Sequence, residues 1–327
     1  MTSLIPSIFS IKNQTDFQDV ALQVFRYQYK YCAVYKKYCD LLKINIDTVD
    51  TIYKIPFLPI TFFKEMAIIS SDTVPETTFT SSGTTGSVTS KHHIADTTIY
   101  ETSFKKGFEF YYGNVQDFTI LALLPSYLER EGSSLVYMVD ALIKDSKAAD
   151  SGFYLNNLDA LIEKLDALEL AGKKTLLIGV SYALLDLIEK RKFALQHTII
   201  METGGMKGRR KELIKPALHA LLKEGFGTSN IHSEYGMTEL LSQAYSKEDG
   251  VFSCPPWMKI LTRDTEDPFT LVNNKTGGIN VIDLANIYSC SFIATQDLGV
   301  TKDNEHFTIM GRFDNSDIRG CNLMVLD

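Results

Sequence analysis

The chain lacks the features that would place it outside the ordinary globular classes. No apolar run approaches the ~18 residues that a membrane-spanning helix needs. No Cys-x-x-Cys occurs, and the five cysteines (Cys32, Cys39, Cys254, Cys290 and Cys321) are odd in number and scattered. Such a set reads as reduced thiols, not as a disulfide framework. Core packing is the plainer account of Cys32 and Cys39, which share one face of an expected helix. Lys and Arg total 33 against 40 Asp and Glu, a formal charge of −7. That balance gives no global pull toward nucleic acid or an anionic membrane. The opening MTSLIPSIFSIKNQ lacks a charged stretch followed by an apolar one, so no secretory signal and a cytoplasmic protein are expected. Repeats, low-complexity tracts and linker composition are also missing. What remains is 45% apolar and 22% charged residues over 327 positions, an ordinary soluble composition that predicts one continuous large domain.

Hydrophobic spacing then orders the chain. Residues Thr15 to Leu42 carry apolar and aromatic side chains at helical intervals, with Thr15 as the expected N-cap. Pro56 and Pro59 forbid a regular helix over Ile55 to Lys64, so an extended connector is expected there. From Phe118 onward, short apolar runs alternate with helical patterns. Strands are expected at Phe118–Pro125, Lys173–Val180, His197–Thr203 and Asn230–Gly236. Helices are expected at Ser133–Asp145, at Asn156–Gly172, from Ser181 to Lys192, and at Arg209–Gly225. This alternation predicts a parallel sheet with helices on its faces. Beyond Gly250 the runs are short and β-like, which predicts antiparallel sheet or a small barrel. The fold class is therefore α/β with a β-rich C-terminal part.

Two segments carry chemistry. Thr80-Ser81-Ser82-Gly83-Thr84-Thr85-Gly86 holds five hydroxyls and two glycines in seven residues. Such a loop offers backbone N–H groups and hydroxyls to an anion. It fits neither a Walker A loop nor a dinucleotide fingerprint. Taken alone, such a loop is more often a plain turn than a phosphate site. Tyr235-Gly236-Met237-Thr238-Glu239 ends the last expected parallel strand, where ligands of open α/β sheets gather. A Tyr face can stack on a base, a Thr hydroxyl can bind phosphate, and a Glu can hold Mg²⁺. A strand–turn–helix with a capping Thr would use the same residues.

Together the two segments resemble the adenylate-forming superfamily of acyl-CoA synthetases and adenylation domains. Further motifs follow in order: Gly179-Val180-Ser181, with Ser where that superfamily has Pro; Gly204-Gly205; Thr295-Gln296-Asp297, with Gln in place of Gly; and Gly311-Arg312-Phe313-Asp314. The resemblance implies the large N-terminal domain of that superfamily, stacked sheets with helices, over residues 1–311. It implies ATP and Mg²⁺ as cofactors, with the 80–86 loop on the phosphates and Tyr235 and Gly236 at adenine. Thr238 would bind phosphate, Glu239 the metal, Asp297 the ribose, and Gly204 and Gly205 would lie beside the nucleotide. Arg312 would mark the hinge. Thr89 stands where a Lys usually follows the loop, and the nearest Lys is Lys91. The mobile lobe and its catalytic Lys are expected to be replaced by a short tail, 312–327.

A narrower resemblance is to the acyl-protein synthetases of bacterial bioluminescence. It rests on Pro56-Phe57-Leu58-Pro59-Ile60 with Phe63-Lys64, Ser81 to Gly86, Leu124 to Tyr127, Glu202 to Gly208 and the run Ser233 to Ser246. This resemblance implies activation of a carboxylic, fatty acid as acyl-AMP and its transfer to a cysteine near the C-terminus. Cys321, in Arg319-Gly320-Cys321-Asn322, fills that role. A thiolate near a cation is the chemically apt acceptor. Cys321, Thr238 and Glu239 are thus the expected catalytic residues, and an acyl reductase or other acyl-transfer protein the expected partner. Rival accounts are transfer to CoA or a carrier protein, a scaffold that has lost the chemistry, and a hydrolase built on Ser181 with His306.

Overall fold

The structure, a computed structural model, describes residues 4–81, 89–125, 132–204, 210, 213–303 and 305–312. These fall into two compact units. The first comprises Met1–Thr77, His92–Ala95 and Pro256–Asp327; the second comprises Thr78–Lys91 and Asp96–Pro255.

The second unit is built on the four predicted parallel strands and one more that was not predicted, Gly152–Phe153. Gly152–Phe153, Thr119–Leu123, Thr175–Val180, Thr198–Thr203 and His232–Tyr235 lie side by side in that order, all parallel. Ala244–Ser246 and Val251–Ser253 extend the sheet in antiparallel fashion. Thr119–Leu123 and Thr175–Val180 are buried at every position, which explains why they read as unbroken apolar runs rather than alternating ones. The helix Leu158–Leu170 buries Leu161, Leu165 and Leu168 at one-turn spacing and starts on the side chain of Asn157. The helix Thr97–Tyr112 has no counterpart in the sequence reading. Its opening Thr-Thr-Ile-Tyr has poor helix propensity, but Asp96 caps it and Phe104 and Phe108 bury its inner face.

In the first unit the antiparallel expectation holds. Leu271–Val272, Met258–Arg263, Gly277–Asp283, Phe292–Thr301 and His306–Arg312 form successive antiparallel neighbours. The helix Gln14–Tyr31 packs Phe25 edge-on against Tyr35 and Phe292. Its buried Gln28 donates to the carbonyls of Asn286 and Ile287 at 2.8 and 3.0 Å and accepts from the Ser291 N–H at 3.0 Å. One amide thus satisfies several backbone groups that burial would otherwise leave unpaired.

Three expected elements need correction. The long N-terminal helix is two, Gln14–Tyr31 and Ala33–Leu41, separated by an extended Cys32. Cys32 closes the first helix through its N–H and opens the second through its carbonyl, so the apolar rhythm runs on through the break. The N-cap is Asn13, not Thr15: Asn13 accepts from the Asp16 N–H, and Asp16 accepts back from Lys12. Cys32 and Cys39 are both buried, as core packing required. The connector Ile55–Lys64 holds a two-residue strand, Leu58–Pro59, and then enters a helical turn, Phe62–Glu65. The helix expected from Arg209 begins at Lys215, with Pro216 in its first turn, where the absent N–H is no loss.

That helix ends at Gly227, left-handed at φ 65°. An added Cβ there would lie 2.5 Å from the Phe193 carbonyl oxygen and 2.8 Å from Ala194 Cα, both backbone atoms. Gly227→Ala combines strain with a collision that no rotamer relieves, so a loss of roughly 2 kcal/mol or more is expected. A urea midpoint unchanged from wild type would contradict this.

Candidate active site

In the second unit, the carboxyl ends of three adjacent parallel strands deliver Ser181, Gly204 and Gly236, the position at which α/β sheets bind ligands. A charged residue sits inside the middle strand. Glu202 is 2% exposed and forms an ion pair with Lys215, at the start of the Lys215–Phe226 helix. His219 Nε2 lies 3.4 Å from the same carboxylate and 3.2 Å from Ser233 Oγ. Burial alone would raise the Glu202 pKa, but His219 and Lys215 outweigh it and push it down to about 2. Ser181 Oγ donates to the Gly204 carbonyl at 3.0 Å and reaches Glu202 Oε2 at 3.4 Å. The Ser that replaces Pro therefore fixes the first glycine of the Gly204-Gly205 pair, which turns at φ 67°. With its hydroxyl engaged twice and only 2% of the residue exposed, Ser181 is no nucleophile elbow.

Glu234, on the neighbouring strand, behaves oppositely. Its carboxylate accepts from Thr203 Oγ1. Burial dominates and, joined by the charge of Glu202, pushes its pKa up to about 7 although the Thr203 hydrogen bond and the Lys215 charge act the other way. Two residues on, a Cβ at Gly236 would come 2.3 Å from Glu234 Oε1, so any larger residue there would displace that carboxylate. His232 is pushed down to about 4 by burial and then by Lys247, and its Nδ1 pairs with the Tyr112 hydroxyl at 3.2 Å. It is a neutral, packed histidine at neutral pH.

The expected nucleotide residues are placed as follows. Tyr235 is buried, with its ring edge-on to Phe252 at 6.0 Å. Thr238 is half-buried and Glu239 is 6% exposed, in a turn closed by the Leu240 N–H on the Met237 carbonyl. No group of three or more His, Cys, Asp or Glu able to hold a metal occurs among the described residues. The donor set fits a cation held by one carboxylate with substrate oxygens and water completing its shell, as Mg²⁺ is commonly bound. The start of the Ser/Thr/Gly loop is pinned: the Ser81 N–H donates to the Ser90 carbonyl at 3.1 Å, and the Ser90 N–H returns to Ser81 Oγ at 2.9 Å. The Thr80 N–H donates to the Gly132 carbonyl at 2.8 Å. Ser82, Gly83, Thr84, Thr85, Gly86, Gly205 and Cys321 lie outside the described residues, as do Tyr127 and Lys207. Lys91 is exposed, whereas His92 is buried edge-on to Phe63.

In the first unit, Asp297 is buried at 8% exposure. Arg312 stands opposite it in the strand ladder, with Nε 3.4 Å from Oδ1. Arg312 is largely exposed, so this pair contributes little stability. Sequence reading missed Glu202, Lys215, His219, Glu234 and Arg263 as functional side chains. The available signal was Glu202 itself, a carboxylate directly after the apolar run Ile199-Ile200-Met201.

The fold is that of the large N-terminal domain of adenylate-forming enzymes. A 2-hydroxyisobutyryl-CoA ligase, solved with its acyl-AMP and CoA, superposes at TM-score 0.67 over 93% of this chain and 72% of its own, at 12% identity. ATP-bound MatB from Rhodopseudomonas palustris superposes at TM-score 0.53 over 72% of this chain and 47% of its own, at 18% identity. The narrower likeness is found at the N-terminus, where residues 4–106 match the family model "Acyl-protein synthetase, LuxE". A long-chain-fatty-acid–luciferin-component ligase of Photorhabdus luminescens is 38% identical over 68 residues, covering 20% of this chain and 58% of that protein.

The two buried glutamates predict opposite pH responses. Glu234 keeps its proton to about pH 7 in the fold, against an ordinary value of 4.5. Folding thus takes up a proton between those limits, and stability falls as pH rises through them. Glu234→Gln should gain on wild type from pH 4.5 to about 7 and hold its lead above. Glu202 contributes fully above 4.5 and loses that contribution as pH falls toward about 2. Glu202→Gln should trail wild type at neutral pH and close the gap below 4.5. Urea midpoints measured across acid to neutral pH check both, and three parallel curves would contradict both assignments.

Proposed function

We propose that this chain is an ATP-dependent ligase that activates a carboxylic, fatty-type acid as acyl-AMP and passes the acyl group to a protein thiol, its own Cys321. The observation that carries this reading is a coincidence in one molecule. An acyl-protein synthetase match over residues 4–106 accompanies an adenylate-forming fold over 93% of the chain. The domain scheme that follows is a large domain at 1–311 and a tail at 312–327 bearing Cys321. The setting is cytoplasmic, in keeping with scattered reduced thiols, and no described helix is long and apolar enough to cross a membrane.

In the first step a carboxylate oxygen of the acid attacks the α-phosphorus of ATP, and the bond to pyrophosphate breaks. In the second the Cys321 thiolate attacks the acyl carbon, the C–O bond to AMP breaks, and AMP leaves with the electron pair. The first step needs charge stabilisation more than proton transfer. The backbone donors of the 80–86 loop and the Thr238 hydroxyl would serve the phosphates, and Glu239 would hold Mg²⁺. Bound Mg²⁺ supplies neutralisation of the phosphate charge. Tyr235 and Gly236 would seat the adenine, Gly204 and Gly205 would border the nucleotide, and Asp297 would take the ribose hydroxyls, with Arg312 at the hinge. A downstream reductase or other acyl-transfer protein would collect the thioester. CoA as acceptor is the second reading, favoured by the CoA in the 2-hydroxyisobutyryl-CoA ligase structure.

The test follows labelled acid through the protein with ATP and Mg²⁺. Wild type should acquire a hydroxylamine-labile label, and Cys321→Ser should lose it while still releasing pyrophosphate. A label retained in Cys321→Ser, or acyl-CoA formed at equal rate by both proteins, would overturn Cys321 as the acceptor.

A further inference from the structure

The strand Phe292–Thr301 is irregular where the expected ribose residue lies. Asn280 stands opposite Ala294 and Gly278 opposite Leu298, so Ile279 alone faces Thr295, Gln296 and Asp297. A bulge of this kind leaves ladder groups unpaired and bends the strand, and such features concentrate beside active sites. Something must satisfy the freed carbonyls. Thr295 Oγ1 donates to the Ile279 carbonyl at 2.9 Å and accepts from the Asp297 N–H at 3.1 Å. The rest falls to Arg263, on the strand beyond. Its Nη2 donates to the Thr295 carbonyl at 2.6 Å, and its Nη1 donates to the Ile279 carbonyl and to Asn280 Oδ1, each at 2.8 Å.

One guanidinium therefore links three strands at the bulge. Only a planar fork does this; a Lys ammonium is a single point donor and cannot span the same acceptors in fixed geometry. Burial disfavours the charge on Arg263, and the nearby Asp297 charge supports it. Room for the group is made by Gly278: a Cβ there would lie 2.5 Å from Arg263 Cζ and 2.7 Å from Nη2. The Gly277-Gly278 pair is thus part of the same device, and neither it nor Arg263 belongs to a motif that the sequence reading singled out.

We propose that Arg263 is a positioning residue for nucleotide binding, acting through the Thr295–Asp297 bulge to set the Asp297 carboxylate for the ribose hydroxyls. This rests on the reading of Asp297 given above. Arg263 touches no substrate in this account; it determines where Asp297 stands. Gly278→Ala should reproduce the effect by displacing the guanidinium without removing its charge.

The experiment compares binding of ATP and of 2′,3′-dideoxy-ATP to the full chain by calorimetry with Mg²⁺, with circular dichroism confirming the fold of each variant. Wild type should prefer ATP by about tenfold, the scale of a hydrogen bond to a charged group. Asp297→Ala should abolish that preference. Arg263→Gln, Arg263→Lys and Gly278→Ala should each collapse most of it while leaving the dideoxy nucleotide's affinity near wild type. A purely structural role would weaken both nucleotides alike, and a ratio that stays at the wild-type value would overturn the proposal. A wild type that binds ATP without preferring it would instead overturn the Asp297 reading, and with it the role of Arg263.

Discussion

The second unit depends on a carboxylate buried where the chain can least easily hold one. Glu202 lies inside a parallel strand, and its charge survives because Lys215 and His219 meet it from the helix packed alongside. Removing two charges from water costs several kcal/mol per ion, so such a pair stabilises little compared with an apolar substitute. What it gives is fixed geometry. Through Ser181 the same carboxylate is tied to the Gly204 carbonyl, so two strand ends and one helix start share a single anchor. Glu234, one strand away, shows the alternative outcome of burial without a cation partner of its own: the proton is held up to about pH 7. The pKa values of two glutamates on adjacent strands are thus pushed in opposite directions because their neighbours differ.

The antiparallel unit reaches a comparable end by other means. Its sheet gives up regular pairing at Thr295–Asp297, and a half-buried Arg263 takes over the hydrogen bonds that the ladder no longer makes. Glycine enables both arrangements. Gly236 clears the space beside Glu234, and Gly278 clears the space around Arg263. In each case the small residue borders an ionisable one placed next to a residue of the proposed nucleotide site.

Much of this was legible in the sequence, and the physical reasons divide cleanly. The strands Thr119–Leu123 and Thr175–Val180 stood out because full burial makes them continuous apolar runs, and alternation with helical patterns marked the sheet as parallel. The motif residues Tyr235 to Glu239 were found by position at a strand end. The break at Cys32 was hidden because hydrophobic spacing continues through it, and only backbone geometry records the change. The helix Thr97–Tyr112 was hidden by β-branched residues whose propensity tertiary packing overrides. Arg263 could not be read at all: its partners come from two other strands, Gly277–Asp283 and Phe292–Thr301, and nothing local to Thr262-Arg263-Asp264 announces them. Ser181 was seen as a departure from a motif, and the structure gives that departure a hydrogen-bonding role at Gly204.

The central claim is that this chain forms an acyl adenylate. Exchange of labelled pyrophosphate into ATP, measured on the full chain with Mg²⁺ and a series of carboxylic acids of increasing length, tests it most directly because it needs no acceptor thiol. The account predicts exchange that depends strictly on the acid and rises with a preferred chain length. It also predicts that exchange persists in Cys321→Ser and is lost in Glu239→Gln. Exchange absent with every acid, in a folded protein that binds ATP, would contradict it.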